Sequence, residues 1–118
     1  MIGELIMRLF HARTAAHVLH LKSRSYAQHK ALNEFYDEVV GLADTIAEAW
    51  QGAHGLISEY PGRFTLPAEP IPMLEELCTW VKNNRYKVAE RTETNIQNEI
   101  DNVVTLIDSK LYKLRHLK

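Results

Sequence analysis

Six histidines are spread over 118 residues, and one of them, His29, falls at helical spacing from two carboxylates. At about 100° per residue, His29, Asn33, Asp44 and Glu48 sit at roughly 0°, 40°, 60° and 100° around one helix, so they share a face. His17 and His20 lie one turn apart just upstream. Two imidazoles with one or two carboxylates, leaving positions open for a reactant, form an N/O donor set suited to iron, with zinc or manganese as alternatives. Spacing then restricts how such a set could assemble. Asn33 and Asp44 are 11 residues apart, about 16 Å along a helix axis, so one ion cannot bind both ends of this helix. Two copies packed antiparallel about a two-fold axis would bring the His29 end of one chain to the Asp44/Glu48 end of the other and create two symmetric sites.

The elements that must position these residues are helical throughout. Ile2, Leu5, Leu9, Ala12, Ala16 and Leu19 recur at a period near 3.6 and predict a helix over 3–22. Ser25 followed by Gln28 reads as a capping box opening a second helix over 26–52, with a core stripe of Ala31, Phe35, Val39, Leu42, Ile46 and Trp50 and a stop at Gly52 and Gly55. A hairpin about Lys22 to Ser25 sets His17 and His29 at similar heights. From Gly52 to Ile71 the periodicity fades, and Tyr60-Pro61-Gly62 marks a turn while Pro67, Pro70 and Pro72 keep the backbone extended. Twenty extended residues reach about 66 Å, enough to cross a second helix roughly 38 Å long. Such a linker suits a bundle whose second and third helices run parallel. Pro72 marks the first turn of a third helix over 72–91, with Glu75 and Glu76 toward the positive end of its dipole. Thr94 and Gln97 read as a further capping box for a fourth helix over 95–116, with an apolar stripe of Ile96, Ile100, Val103, Ile107, Leu111 and Leu114. The expected fold is all-α, a four-helix bundle with a long crossover linker, forming one domain over 1–118.

The run His17-x11-His29-x3-Asn33-x10-Asp44-x3-Glu48 resembles the motif of the Dps-like miniferritins, whose pattern at these spacings is His, His, Asp, Asp, Glu. The resemblance is specific over Ala16 to Gly52 and extends to the C-terminus through the helix layout. It implies a ferritin-like fold in which His17 and His29 of one subunit and Asp44 and Glu48 of its two-fold partner are iron ligands. Asn33 and His20 are then second-metal or neighbouring positions. The implied activity is ferroxidase: oxidation of ferrous iron, preferentially by hydrogen peroxide, with the product stored in a dodecameric cage of this homo-oligomer. The chain departs from that pattern at three places. Asn33 stands where the family has a third carboxylate, Val18 follows His17 in place of Trp, and Ala49 follows Glu48 in place of Arg. The Glu-x-x-His motif of the larger ferritins is absent.

The totals set the remaining bounds. The 46% hydrophobic and 25% charged fractions are those of an ordinary globular domain. Fourteen basic against 15 acidic residues leave a net charge of −1, and no basic tail precedes the first helix, so nucleic acid is not expected as a partner. No signal peptide or membrane span is read, and a single Cys78 cannot form an internal disulfide, so the expected location is cytoplasmic. Trp50, Trp80 and Cys78 read as core residues, and His20, Glu34, Asp37 and His54 as surface ones. The rival to the ferroxidase reading is a non-catalytic ferritin-like interaction module. It would offer the fourth helix's apolar face and the linker to a protein or small ligand.

Overall fold

A computed structural model describes residues 1–118 and contains four α-helices with no strand: α1 Ile2–Lys22, α2 Tyr26–His54, α3 Pro70–Val88 and α4 Thr94–His116. Ser25 caps α2, its hydroxyl accepting a bond from the Gln28 backbone N–H at 3.3 Å, which is half of the expected capping box. The other half, a Gln28 side chain returning to Ser25, is not formed. Helix α3 starts two residues earlier than expected, because Pro70 already fits the N1 position, and it stops at Val88 rather than 91. Gln97 accounts for that early stop. It does not serve a capping box with Thr94; its buried amide reaches back and donates to the carbonyls of Arg85 and Ala89 at 3.1 and 2.8 Å. Those carbonyls close α3. Glu93, not Thr94, precedes the first turn of α4.

The order of contacts around the bundle is α1–α2–α4–α3, with α1 and α4 on one diagonal and α2 and α3 on the other. Directions follow from side-chain pairs. Trp50 near the end of α2 donates to the carbonyl of Val88 at the end of α3, at 3.0 Å, so these two helices run parallel. Lys113 late in α4 meets Glu34 early in α2 at 2.8 Å, and Arg115 meets Glu75 early in α3 at 2.6 Å, so α4 opposes both. The path is up, down, down, up, and segment 55–69 must travel the length of the bundle, as the crossover expectation requires. It does so over the α1–α3 seam, as a strap whose residues are mostly exposed.

One core of 27 buried residues draws on all four helices and on Ile57 of the strap. It contains every residue of the expected α1 stripe and, on α4, Ile96 through Leu111. The α4 face that the interaction reading offered to a partner is therefore spent inside the bundle. Cys78 is buried, while Trp50 and Trp80 are partly buried against the core. No helix is long and apolar enough to cross a membrane.

Candidate functional site

Helices α1 and α2 are joined by only three residues, and this tight hairpin brings His17, His20 and His29 together. His20 is buried, at 7% exposure, which corrects its reading as a surface residue. Its ring stacks on that of His29 with centroids 3.6 Å apart and planes 25° from parallel. The bonds between the two residues are reciprocal. Nδ1 of His20 lies 2.9 Å from the backbone carbonyl oxygen of His29, and Nδ1 of His29 lies 3.1 Å from that of His20. A carbonyl oxygen can only accept, so each Nδ1 carries a proton, and in the neutral form of either ring the lone pair lies on Nε2. Neither Nε2 is bonded within the chain. Because no buried side-chain nitrogen or oxygen is left without a partner, these Nε2 atoms reach solvent.

His17 is exposed and stacks on Tyr36 at 4.2 Å, 14° from parallel. The Tyr36 hydroxyl donates to Asn33 Oδ1 at 2.7 Å, and Asn33 Nδ2 donates to Asp37 Oδ2 at 2.8 Å. Tyr36 was not among the sequence candidates, although its signal was present: seven residues after His29, it falls about 20° from it on the helical wheel. Asn33 is thus occupied by two neighbours, and Asp37 is its acceptor.

Asp44 and Glu48 are brought to none of these groups. Both are exposed on α2, and neither belongs to any ion pair in the chain. No three His, Cys, Asp or Glu side chains within one chain are arranged to hold a metal ion. Within one molecule the expected donors form two separate groups, a histidine group at one end of α2 and a carboxylate pair toward the other. Tyr26, Lys30, Asp37, Asp44 and Glu48 are all exposed and fall within about 40° of one another on the α2 wheel. Tyr26 and the single cation Lys30 occupy one half of this stripe and the carboxylates the other, and Lys22 and Arg24 lie at the turn beyond the basic end. Gly41 and Gly52 lie beside the stripe, with open space where a side chain would stand.

Glu34, expected as a surface acid, is tied to α4 by Lys110 and Lys113 at 3.1 and 2.8 Å. Hydrogen bonds from Lys113 and then Lys110 lower its pKa to about 2, and Lys113 is raised in turn, first by its bond to Glu34. At the opposite end His54 pairs with Glu93, whose other oxygen accepts the Glu90 N–H at 2.7 Å. That backbone bond is the main reason the Glu93 carboxyl lies below its usual range.

A family model described as a family of unknown function (DUF5856) matches residues 20–114. The chain belongs to this family. The match begins at His20 and takes in His29, Asn33, Asp44 and Glu48, while His17 lies just outside it. An uncharacterized 14.6 kDa protein from the mobD-ri intergenic region of Enterobacteria phage T4 is 27% identical over 113 residues, covering 94% of this chain and 85% of that protein. No solved structure matches.

Proposed function

We propose that this chain is a ferritin-like, Dps-like iron-binding protein whose ferroxidase sites are completed between two copies. His17 and His29 of one chain and Asp44 and Glu48 of its two-fold partner are the ligands, with His20 and Asn33 beside them. The observation that carries the reading is the outer stripe of α2. Solvent-reaching imidazole nitrogens stand beside one end of it and two unpaired carboxylates toward the other, too far apart to meet except across a dimer. The up-down-down-up path with a long crossover supports the ferritin-like part of the reading.

The stripe is self-complementary. Antiparallel pairing that sets Lys30 against the partner's Glu48 also sets Tyr26 against the partner's Gly52 and Asp37 against the partner's Gly41. Large side chains then face glycines, and His29 comes beside the partner's Glu48. Opposite charges meet, and this favours one orientation over the parallel one. Asp44 and Glu48 remain the carboxylates for the metal, with which Lys30 competes for Glu48.

Two neutral imidazoles with two carboxylates supply two negative charges, which balance one ferrous ion. A second ion would add an uncompensated charge of about +2 in a partly buried place, a cost of several kcal/mol. Each site therefore holds one metal tightly and a second weakly. In the reaction, each of two ferrous ions gives one electron to hydrogen peroxide, whose O–O bond breaks to leave two hydroxides and two ferric ions. Calorimetric titration of ferrous iron under anaerobic conditions, with the mass in solution, tests the reading. It expects a dimer or larger assembly binding one tight iron per chain. A strict monomer, or a dimer that binds no iron, would end it.

The rival interaction module keeps one supporting observation. Leu56, Tyr60, Phe64 and Leu66 of the strap are at least 40% exposed, which supports the strap as its partner face.

A further inference from the structure

A groove lies away from the α2 stripe, between α1, the strap and α3, with a volume of about 630 Å³. That size falls in the range of roughly 300–1,000 Å³ typical of small-molecule sites. Its floor exists because α1 turns small side chains toward α3. Ala12 and Ala15 are buried there beside Met73 and Leu77, and two alanines cannot fill the space between two helices. The strap forms the roof. It is pinned to α1 where Gly3 lies against the Glu59 carbonyl and to α2 where the Ile57 N–H donates to Gln51 Oε1 at 3.1 Å. Between these pins and Pro70, Phe64 extends over the groove and contacts the His11 ring at 5.0 Å.

Two guanidinium groups, those of Arg8 and Arg63, line this space together with the carboxylates of Glu4, Glu69 and Glu76. Arg8 is held by Glu4 through Nε alone, at 3.4 Å, and its guanidinium lies 4.5 Å over the Trp80 ring. Its terminal nitrogens make no hydrogen bond within the chain, so a fixed fork of donors is left without an acceptor. Arg63 on the strap has no acidic partner in any ion pair. A planar fork held in place beside an apolar floor is suited to a carboxylate, which it can bind through two parallel bonds. Glu69 and Glu76 line the α3 side and repel a negative head group from that wall. Met7 and Met73 are unbranched and adaptable, and they suit a flexible hydrocarbon better than a rigid ring.

We propose that the groove beneath the strap binds an apolar monocarboxylate of the fatty-acid type, its head group on Arg8 and Arg63 and its chain along Ala12, Ala15 and Met73. This site is independent of the α2 stripe and of any iron chemistry. The test is calorimetric titration of the full chain with decanoate below its micelle concentration, set against decyltrimethylammonium, which carries the same chain with the opposite charge. One decanoate per chain is expected. Arg8→Gln should weaken binding about tenfold, as loss of a charge-assisted pair does, and Arg63→Gln severalfold. The cation should bind at least about tenfold more weakly than decanoate. Arg63 is exposed on the strap, so its variant separates loss of the site from loss of the fold. Equal affinity for the cation, unchanged decanoate binding in both arginine variants, or no binding of decanoate at low millimolar concentration would each overturn the proposal.

Discussion

The rings of His20 and His29 lie face to face, and each holds the other's backbone carbonyl through Nδ1. This exchange fastens the last turn of α1 to the first turns of α2. It also fixes the tautomer of both rings, so the contact that closes the hairpin is the one that leaves Nε2 free for a ligand.

The two roles separate by substitution. His20→Ala removes a buried ring and its bond and should cost about 2–3 kcal/mol. His20→Asn keeps a donor in reach of the His29 carbonyl and should cost about 1 kcal/mol. Urea unfolding of both variants checks this. Equal losses would mean that the hydrogen bond contributes nothing.

The acid limb of stability should carry the signature of Glu34. Its folded pKa, about 2, lies below its ordinary value of 4.5, so its contribution is present above pH 4.5 and is lost as pH falls toward 2. Glu34→Gln removes that dependence and leaves Lys110, whose side chain is 6% exposed, without its partner. Because the Glu34 side chain is 31% exposed, solvent screening limits the expected cost to about 1–2 kcal/mol at pH 7. Thermal melts from pH 2 to 7 of both proteins should converge at the acid end. Parallel curves across the range would contradict the assignment.

Gly3 is where the strap backbone comes closest to α1. A Cβ there would overlap the Glu59 carbonyl oxygen, and backbone cannot yield as a flexible side chain can. Gly3→Ala should therefore lift the strap, costing about 1–2 kcal/mol through strain. Hydrogen exchange should rise over 55–66 and stay unchanged in α4.

The charge pattern of α2 gives a swap test of assembly. Lys30→Glu places like charges across the proposed dimer and should weaken it by at least about tenfold. Adding Glu48→Lys to the same chain restores opposite charges and should recover the dimer, though not the metal. Light scattering over a dilution series reads both. A monomeric double variant would exclude this register.

The bundle was legible in the sequence because its signal is local. The 3.6-residue period of Leu5, Leu9 and Leu19 and of Ile100, Val103 and Ile107, the Ser25 cap and the proline-bearing linker each report on residues within a few positions. What the sequence concealed depends on distant partners. Gln97 looked like part of a cap for α4 and serves α3 instead, because only the α3–α4 turn brings it under the carbonyls of Arg85 and Ala89. Glu34 looked like a solvated acid because its lysines lie 76 and 79 residues away. His20 looked exposed because its burial comes from the ring of His29. At the candidate site, the spacing of His17 and His29 foretold the hairpin but not its contacts, which stack His29 on His20 and His17 on Tyr36; the wheel angle of Tyr36 could have added that residue. The distance from the histidines to Asp44 and Glu48 was also legible, and it is why the proposed site calls for a second chain.

The most direct measurement is iron binding by a mixture of two defective chains. His29→Ala and Glu48→Gln each damage both sites of their own homodimer, so neither alone should bind iron tightly. In a mixed dimer one site collects both defects and the other is intact. Exchange at equal concentrations should therefore recover about a quarter of the wild-type tight iron binding, since half of the dimers are mixed and each holds one good site. A mixture that binds no more iron than either variant alone would contradict the intersubunit site.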